Sequence, residues 1–173
     1  MNFLKQLRAL LLPFTVTVIV PLLIASPQNV NPGLGLPYPV SLLPVIAGIV
    51  LIGVGLTLVV MTVRMFILIG KGTLAPWDPT QRLVVVGVYR HVRNPMISGV
   101  TMILLGEAVA LGSLPLLIWC LAFLVINLIY IPLVEEPGLI RRFGEEYRLY
   151  QQNVPRWIPR LTPWVPPDHT SSP

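Results

Sequence analysis

Residues 114–134 read LPLLIWCLAFLVINLIYIPLV, a stretch of 21 residues that contains no charged side chain. A helix of roughly 20 residues is long enough to cross the hydrocarbon core of a bilayer. Three more apolar stretches, of varying length, occupy residues 7–25, 40–69 and 95–111. The sequence therefore predicts an all-α, polytopic membrane protein with about four transmembrane helices.

The composition agrees with this fold class. Hydrophobic residues make up 54% and charged residues 11% of the 173 residues, and the mean hydropathy is +0.77. These values are typical of integral membrane proteins. One membrane domain is predicted over residues 1–165, followed by a disordered tail over residues 166–173. The single cysteine, Cys120, excludes an intrachain disulfide and is interpreted as a small buried hydrophobic residue.

The first apolar stretch begins like a signal peptide, with Lys5 and Arg8 ahead of apolar residues. No convincing small-residue cleavage site follows before Pro27, so we interpret the stretch as a retained first helix. Pro13 and Pro21 lie within it. We expect neighbouring helices to bond the carbonyl groups that these prolines leave free.

The distribution of charge predicts the topology. With four crossings, all twelve Lys and Arg residues fall on one side, whereas residues 26–39 and the Gly112–Ser113 turn carry no charge. The positive-inside rule then places both termini and the central loop in the cytoplasm. The net charge of +5 favours anionic headgroups or substrates at that surface. Nucleic acid is not an expected partner, because no soluble basic domain is present.

Two polar elements are predicted to face the cytoplasm. The first is the loop from Gly70 to Asn94. The run Gly-Val-Tyr-Arg-His-Val-Arg-Asn-Pro-Met-Ile-Ser-Gly at 87–99 begins in this loop and continues into the third apolar stretch. Placing polar groups beside a membrane-spanning segment costs free energy, so we take this run as the candidate functional site. The second is an amphipathic helix from Glu135, with apolar side chains at helical spacing: Leu139, Phe143, Tyr147 and Tyr150.

Glu135 and Arg142 are seven residues apart, so a continuous helix places both on one face. We take them as candidate catalytic residues. Alternatively, Arg142 pairs with Glu145 or Glu146, and Glu135 only caps the helix.

These motifs together resemble a known family. Gly-Val-Tyr and Arg-Asn-Pro-Met at 87–96 precede, by about forty residues, Glu135-Glu136, Phe143-Gly144 and Val154-Pro155. In this order they resemble the isoprenylcysteine carboxyl methyltransferase family and its phospholipid methyltransferase relatives, over residues 70–163. The resemblance implies an integral membrane methyltransferase that uses S-adenosylmethionine on a lipophilic acceptor, a carboxylate, an amine or another group of a lipid-like molecule.

The resemblance also implies a cofactor site at the positions that match the family's motif. The matching residues are Gln81, Arg82, Leu83, Val84, Tyr89, Arg93, Asn94, Pro95, Met96, Ile97 and Glu135. Asn94 and Ile97 stand where the family usually has histidine and tyrosine. An amide still forms hydrogen bonds, whereas Ile97 provides only an apolar contact.

Ile131 departs from the family's pattern in a way that concerns the acceptor. Family members that modify prenylcysteine resemble one another in having an arginine four residues before the position that matches Glu135. In those members the arginine holds the acceptor. An isoleucine cannot imitate that permanently charged, bidentate group. Either Arg141 or Arg142 replaces it, or the acceptor is not a prenylcysteine.

Other functions and sites remain open. A nicotinamide-dependent membrane reductase shares part of the tail pattern, and a non-catalytic scaffold or a transporter is a third possibility. Glu107 is an ionisable residue within the third apolar stretch and is a candidate for a direct role. Gly99 and Gly106, seven residues apart, predict close helix packing and a possible homodimer face.

Overall fold

The computed structural model describes residues 11–70 and 82–167. Within these ranges the chain forms helices and connecting segments without a strand, as predicted. Helices α1 and α2 are Leu11–Ile24 and Leu42–Met65, and α3 is Pro95–Leu111. Helices α4, α5 and α6 are Leu114–Tyr130, Glu136–Phe143 and Glu145–Asn153. Residues 168–173 of the predicted disordered tail at 166–173 lie outside the described residues.

Two of these helical segments are long and apolar enough to cross a membrane. They are Leu42–Leu68, with 27 residues, and Leu114–Phe143, with 30 residues. Helices α1 and α3 are apolar but shorter. Helix α3 has the predicted bounds, whereas the last long helix continues past its predicted end at residue 134.

Helices α2 and α3 pack through glycines. A Cβ atom at Gly55 would lie 2.5 Å from the carbonyl oxygen of Gly99, and one at Gly106 would lie 2.6 Å from that of Gly48. Only glycine therefore permits this approach. The predicted close packing of Gly99 and Gly106 is found, but within one chain, so the predicted homodimer would need another surface.

In α1, a carbonyl group that a proline leaves without its helical partner is bonded by a neighbouring helix, as expected. A π turn over Thr15–Ile19 brings the Val20 amide to the Thr15 carbonyl. The next residue, Pro21, has no N–H to give to the Val16 carbonyl. Nε1 of Trp119, on α4, donates to that oxygen at 3.1 Å. A neighbouring helix thus completes the hydrogen bonding of a proline-containing helix.

The long C-terminal helix passes Pro132 without ending. A π turn over Ile131–Glu135 joins α4 to α5. Helix α5 ends at Gly144, whose φ of 56° and ψ of −129° stop the helix before α6 begins. The predicted single amphipathic helix through Tyr150 is therefore wrong. Its apolar side chains still pack together, around buried Tyr147, Tyr150 and Val154.

The described cationic residues gather at one end of the bundle. Arg64 lies in the last turn of α2, and the ring of the following Phe66 packs edge-on against Tyr89 at 5.6 Å. Arg93 in turn bonds Glu136 at the start of α5. The segment at 82–93 and the C-terminal helices therefore share this end. The uncharged loop at 26–39 lies at the opposite end, where the Asn31 amide donates to the Leu111 carbonyl.

Gly55→Ala is expected to lower the free energy of unfolding by about 1–3 kcal/mol, because the methyl group must displace the α3 backbone. Gly53→Ala is the matched control, since a Cβ atom there meets nothing within 4 Å on the same helix. Thermal unfolding of both variants in detergent checks this. Equal midpoints would show that the α2–α3 contact tolerates a methyl group.

Candidate functional site

The cationic end of the bundle is built around the carboxylate of Glu136. Its Oε1 accepts hydrogen bonds from Nη1 of Arg93 at 2.5 Å and from Nε of Arg156 at 2.8 Å. Its Oε2 accepts from Nη2 of Arg156 at 2.7 Å and from Nε2 of Gln151 at 2.9 Å. The Glu136 side chain is only 5% exposed. Four bonds from three side chains satisfy this buried charge.

This ion cluster joins three segments of the chain. Glu136 begins α5, Arg93 lies two residues before α3, and Arg156 follows α6. Arg93 also donates from Nε to the Val154 carbonyl and from its backbone N–H to the Pro155 carbonyl, both at 2.9 Å. Arg93, predicted to bind a cofactor, is thus engaged in holding these segments together.

A group of buried tyrosines lies against the ion cluster. The hydroxyl of Tyr150 donates to the Tyr89 carbonyl oxygen at 2.7 Å, and the rings of Tyr147 and Tyr150 meet edge-on at 6.0 Å. Burial first, and then the charge of Glu136, raise the pKa of Tyr147 to about 12, although Arg93 opposes this rise. Burial also raises the pKa of Tyr89 well above its ordinary value. These phenols are therefore neutral hydrogen-bonding groups at physiological pH.

Glu135 has a different environment from its neighbour Glu136. Its side chain is exposed, and it forms no hydrogen bond or ion pair with another described residue. Its carboxylate is close enough to Tyr89 to contribute to the raised pKa of that phenol, after burial and Tyr150. The π turn ends at Glu135 and the α-helix resumes at Glu136. Glu135 is thus exposed, whereas Glu136 is buried and belongs to the ion cluster.

The predicted residues ahead of Tyr89 differ in their surroundings. Gln81 lies outside the described residues. Arg82 is exposed, and Val84 is buried. Leu83 packs against the buried tyrosines and also lines a cavity of about 290 Å³, together with Arg90 and Trp164.

The predicted residues that follow Arg93 form the beginning of α3. Asn94 is the N-cap residue, and its Nδ2 donates a long hydrogen bond of 3.4 Å to the Arg156 carbonyl. Pro95 is the buried first residue of the helix, and Met96 and Ile97 are half-buried in its first turn. The structure therefore brings Tyr89, Arg93 and the Glu135–Glu136 pair to one end of the bundle.

Arg142 forms no ion pair with Glu145 or Glu146 within the described part of the chain, so the alternative pairing is wrong, and its catalytic role stays a prediction. Its guanidinium group lies over the ring of Phe143, 5.8 Å from the centroid, and its side chain is exposed. Glu145 bonds Arg148 at 2.8 Å instead.

Sequence reasoning missed Glu136, Arg156 and Gln151 as members of the site. A signal for an acidic partner was present, because a cation beside an apolar segment needs a counter-charge. The sequence does not show which of two adjacent glutamates provides it.

Comparison with known proteins decides the family. A family model described as phospholipid methyltransferase matches residues 43–146, more than half of the chain. The chain belongs to the phospholipid methyltransferase family. The match confirms the resemblance, and it runs from the beginning of α2 into α6. No curated protein and no solved structure shows a significant match to the chain.

The family match also delimits which parts of the site it covers. The phospholipid methyltransferase region includes the predicted cofactor segment, Arg93, the Glu135–Glu136 pair and Arg142. It ends before Tyr147 and Arg156, which complete the tyrosine group and the ion cluster. Methyltransferase activity is thus indicated by the family, and the C-terminal residues add the packing described above.

Glu136→Gln is expected to lower the free energy of unfolding by about 3 kcal/mol, because two guanidinium groups then lack a counter-charge. The matched control is Glu135→Gln, which leaves the cluster intact. Thermal unfolding in detergent distinguishes the two variants, and equal loss in both would contradict the division of roles between the two acids.

Stability is expected to fall as the pH rises from about 10 to 12. The unfolded chain ionises Tyr147 near its ordinary pKa of 10.0, whereas the folded chain holds the proton until about 12. Unfolding is therefore favoured by up to about 1.4 kcal/mol per pH unit for this one phenol. Unfolding measured across this range with Tyr147→Phe checks this. An unchanged slope in that variant would refute the assignment.

Proposed function

We propose that this protein is an integral membrane methyltransferase that uses S-adenosylmethionine and modifies a lipophilic acceptor. The observation that carries the proposal is that exposed Glu135 and buried Tyr89, two of the positions that match the family's cofactor motif, lie at the same end of the bundle. The adjacent Glu136 cluster fixes the backbone at this point. Membership of the phospholipid methyltransferase family supports the reaction class.

The residues present fit the proposed cofactor. The Glu135 carboxylate accepts hydrogen bonds from ribose hydroxyl or amino groups and attracts a cationic sulfonium. Tyr89 and Asn94 supply neutral hydrogen-bonding groups, and Met96 and Ile97 supply apolar contacts. Arg93 acts indirectly, because its guanidinium group already bonds Glu136. When bound, the cofactor supplies an electrophilic methyl group.

The chain's own contribution to such a reaction is alignment and the exclusion of water. Methyl transfer neutralises the sulfonium charge, so a dry and rigid site favours it. Buried Val84 and Tyr89 exclude water on one side. The ion cluster makes the site rigid by joining α3, α5 and the segment after α6.

We further propose that α1 and α3 also cross the membrane, which gives four crossings with both termini and the site in the cytoplasm. The clustering of the described cations at one end supports this arrangement. A lipophilic acceptor then arrives from the bilayer and the water-soluble cofactor arrives from the cytoplasm.

The acceptor is proposed not to be a prenylcysteine. Ile131 lies in the π turn, is only 1% exposed, and provides an apolar side chain at the position of the missing arginine. Arg141 and Arg142 are both exposed on α5, and Arg142 lies over Phe143. This arrangement favours an acceptor that is not held by an arginine through a carboxylate group of its own.

Calorimetry in detergent is expected to detect binding of S-adenosylmethionine and S-adenosylhomocysteine. Glu135→Gln should weaken S-adenosylmethionine binding about tenfold, since a hydrogen bond to a charged group contributes about 1.5 kcal/mol or more. Glu145→Gln, at an exposed acid paired with Arg148, is the control and should bind normally.

The same measurement separates the alternative functions. Binding of NADPH without either adenosyl compound would favour a membrane reductase. Binding of none of the three would leave a scaffold or a transporter.

Labelled methyl transfer to lipid extracts identifies the acceptor class. We expect incorporation into the lipid phase and none into prenylcysteine. Mild alkali then releases label from a methyl ester but leaves a methylated amine intact. Efficient labelling of prenylcysteine would contradict the interpretation of Ile131.

A further inference from the structure

The segment after α6 carries large apolar side chains that nothing in the described chain covers. We define residues 155–166 as the C-terminal strap. Within it, Leu161 is 98% exposed, Ile158 is 80% exposed and Val165 is 65% exposed. Such exposure on three apolar side chains within eight residues is typical of an interaction surface.

Hydrogen bonds hold the strap against the segment before α3. The Arg160 amide donates to the His91 carbonyl and the Trp164 amide donates to the Arg90 carbonyl, both at 3.0 Å. Nδ1 of His91 lies 2.8 Å from the Arg160 carbonyl oxygen. The strap thus has a fixed position.

The length of α3 places the strap near a membrane surface. Its 17 residues give a helix of about 25 Å, shorter than the roughly 30 Å hydrocarbon core. The residues directly before Pro95, to which the strap is bonded, therefore lie close to the boundary between acyl chains and headgroups. This step rests on the proposed crossing of the membrane by α3.

A second segment places exposed apolar groups at the same level. Leu133 and Val134, in the π turn, are 70% and 51% exposed. They directly precede the Glu135–Glu136 pair, and Glu136 bonds Arg156. Ile158 follows Arg156 by two residues. The apolar surface of the long C-terminal helix thus reaches the level of the strap.

The charge around the strap favours anionic lipid over a second copy of this chain. Of the two arginines in residues 155–166, Arg156 is neutralised by Glu136, whereas Arg160 bonds only a carbonyl oxygen and keeps its positive charge. Exposed Arg141 and Arg142 add positive charge on α5, which the Glu136–Arg156 bonds join to the strap. A symmetric dimer through this face would bring like charges together. Anionic headgroups attract them instead.

We propose that the C-terminal strap is an interfacial membrane anchor. Ile158, Leu161 and Val165 insert at the boundary of headgroups and acyl chains of an anionic bilayer. Arg160 and the exposed Arg141 and Arg142 bind lipid phosphates. The lipid surface thereby covers the outer side of the strap, which is bonded to Arg93 and hence to the ion cluster.

Spin labelling in nanodiscs of phosphatidylcholine and phosphatidylglycerol tests the anchor. Ile158→Cys and Leu161→Cys are labelled with a nitroxide in a Cys120→Ala background. Gln152→Cys, an exposed polar position on α6, is the water control, and Ile126→Cys, an exposed apolar position on α4, is the lipid control. Power saturation compares the access of oxygen with that of a water-soluble nickel complex.

We expect the labels at 158 and 161 to be several-fold more accessible to oxygen than to nickel, as at 126, and the label at 152 to show the reverse. Behaviour of 158 and 161 like 152, with 126 in lipid, overturns the anchor alone. A water-accessible label at 126 overturns the membrane placement as well.

Two further results test whether anionic lipid or a second copy of the chain covers the strap. Dipolar broadening between labels at 161 would assign the surface to a second copy and overturn the proposal. In discs of phosphatidylcholine alone, we expect the labels at 158 and 161 to lie at a shallower depth. Equal depth in both discs would overturn the choice of an anionic surface.

Discussion

The carboxylate of Glu136 connects parts of the chain that the sequence separates widely. Through Arg93 it holds the residues before α3, and through Arg156 and Gln151 it holds the end of α6 and the segment that follows. A buried charge of this kind is tolerated only when its hydrogen bonds are complete. Because all four are present, the site and the C-terminal strap have a defined position relative to the long helices.

The second constraint is the close approach of α2 and α3. Gly48 and Gly55 meet Gly106 and Gly99, so the two backbones pack with almost no side chain between them. This contact fixes the position of α3 relative to α2, and Phe66, just after α2, packs against the ring of Tyr89. The site is therefore positioned on one side by helix packing and on the other side by the ion cluster.

The adjacent acids Glu135 and Glu136 lie in different environments, one exposed and one buried in the ion cluster. The π turn ahead of them contains Pro132, and π turns are frequent at functional sites. The buried acid stabilises the fold and leaves the neighbouring acid accessible. Because Glu136 satisfies the cations, Glu135 remains available for the cofactor contact proposed for it.

Several features could be predicted from local sequence. The bounds of α3 followed from its proline start and its glycine end. The expectation that a neighbouring helix bonds a carbonyl group freed by a proline is met, although only the π turn shows that this carbonyl belongs to Val16. The continuous amphipathic helix through Tyr150 was wrong, because periodicity does not reveal the conformation that Gly144 adopts. The placement of Arg142 could not be predicted, since an exposed side chain has several equivalent partners.

The sequence was sufficient to predict the helical class and the apolar segments, and together with the predicted crossings it placed the cations at one end. These depend on composition and on the period of side chains along one helix. Only the tertiary structure decided which glutamate is buried, that Arg93 bonds it, and that Gly99 and Gly106 pack within the chain. Such pairings depend on which helix faces meet in space, and no local pattern along a single segment contains that information.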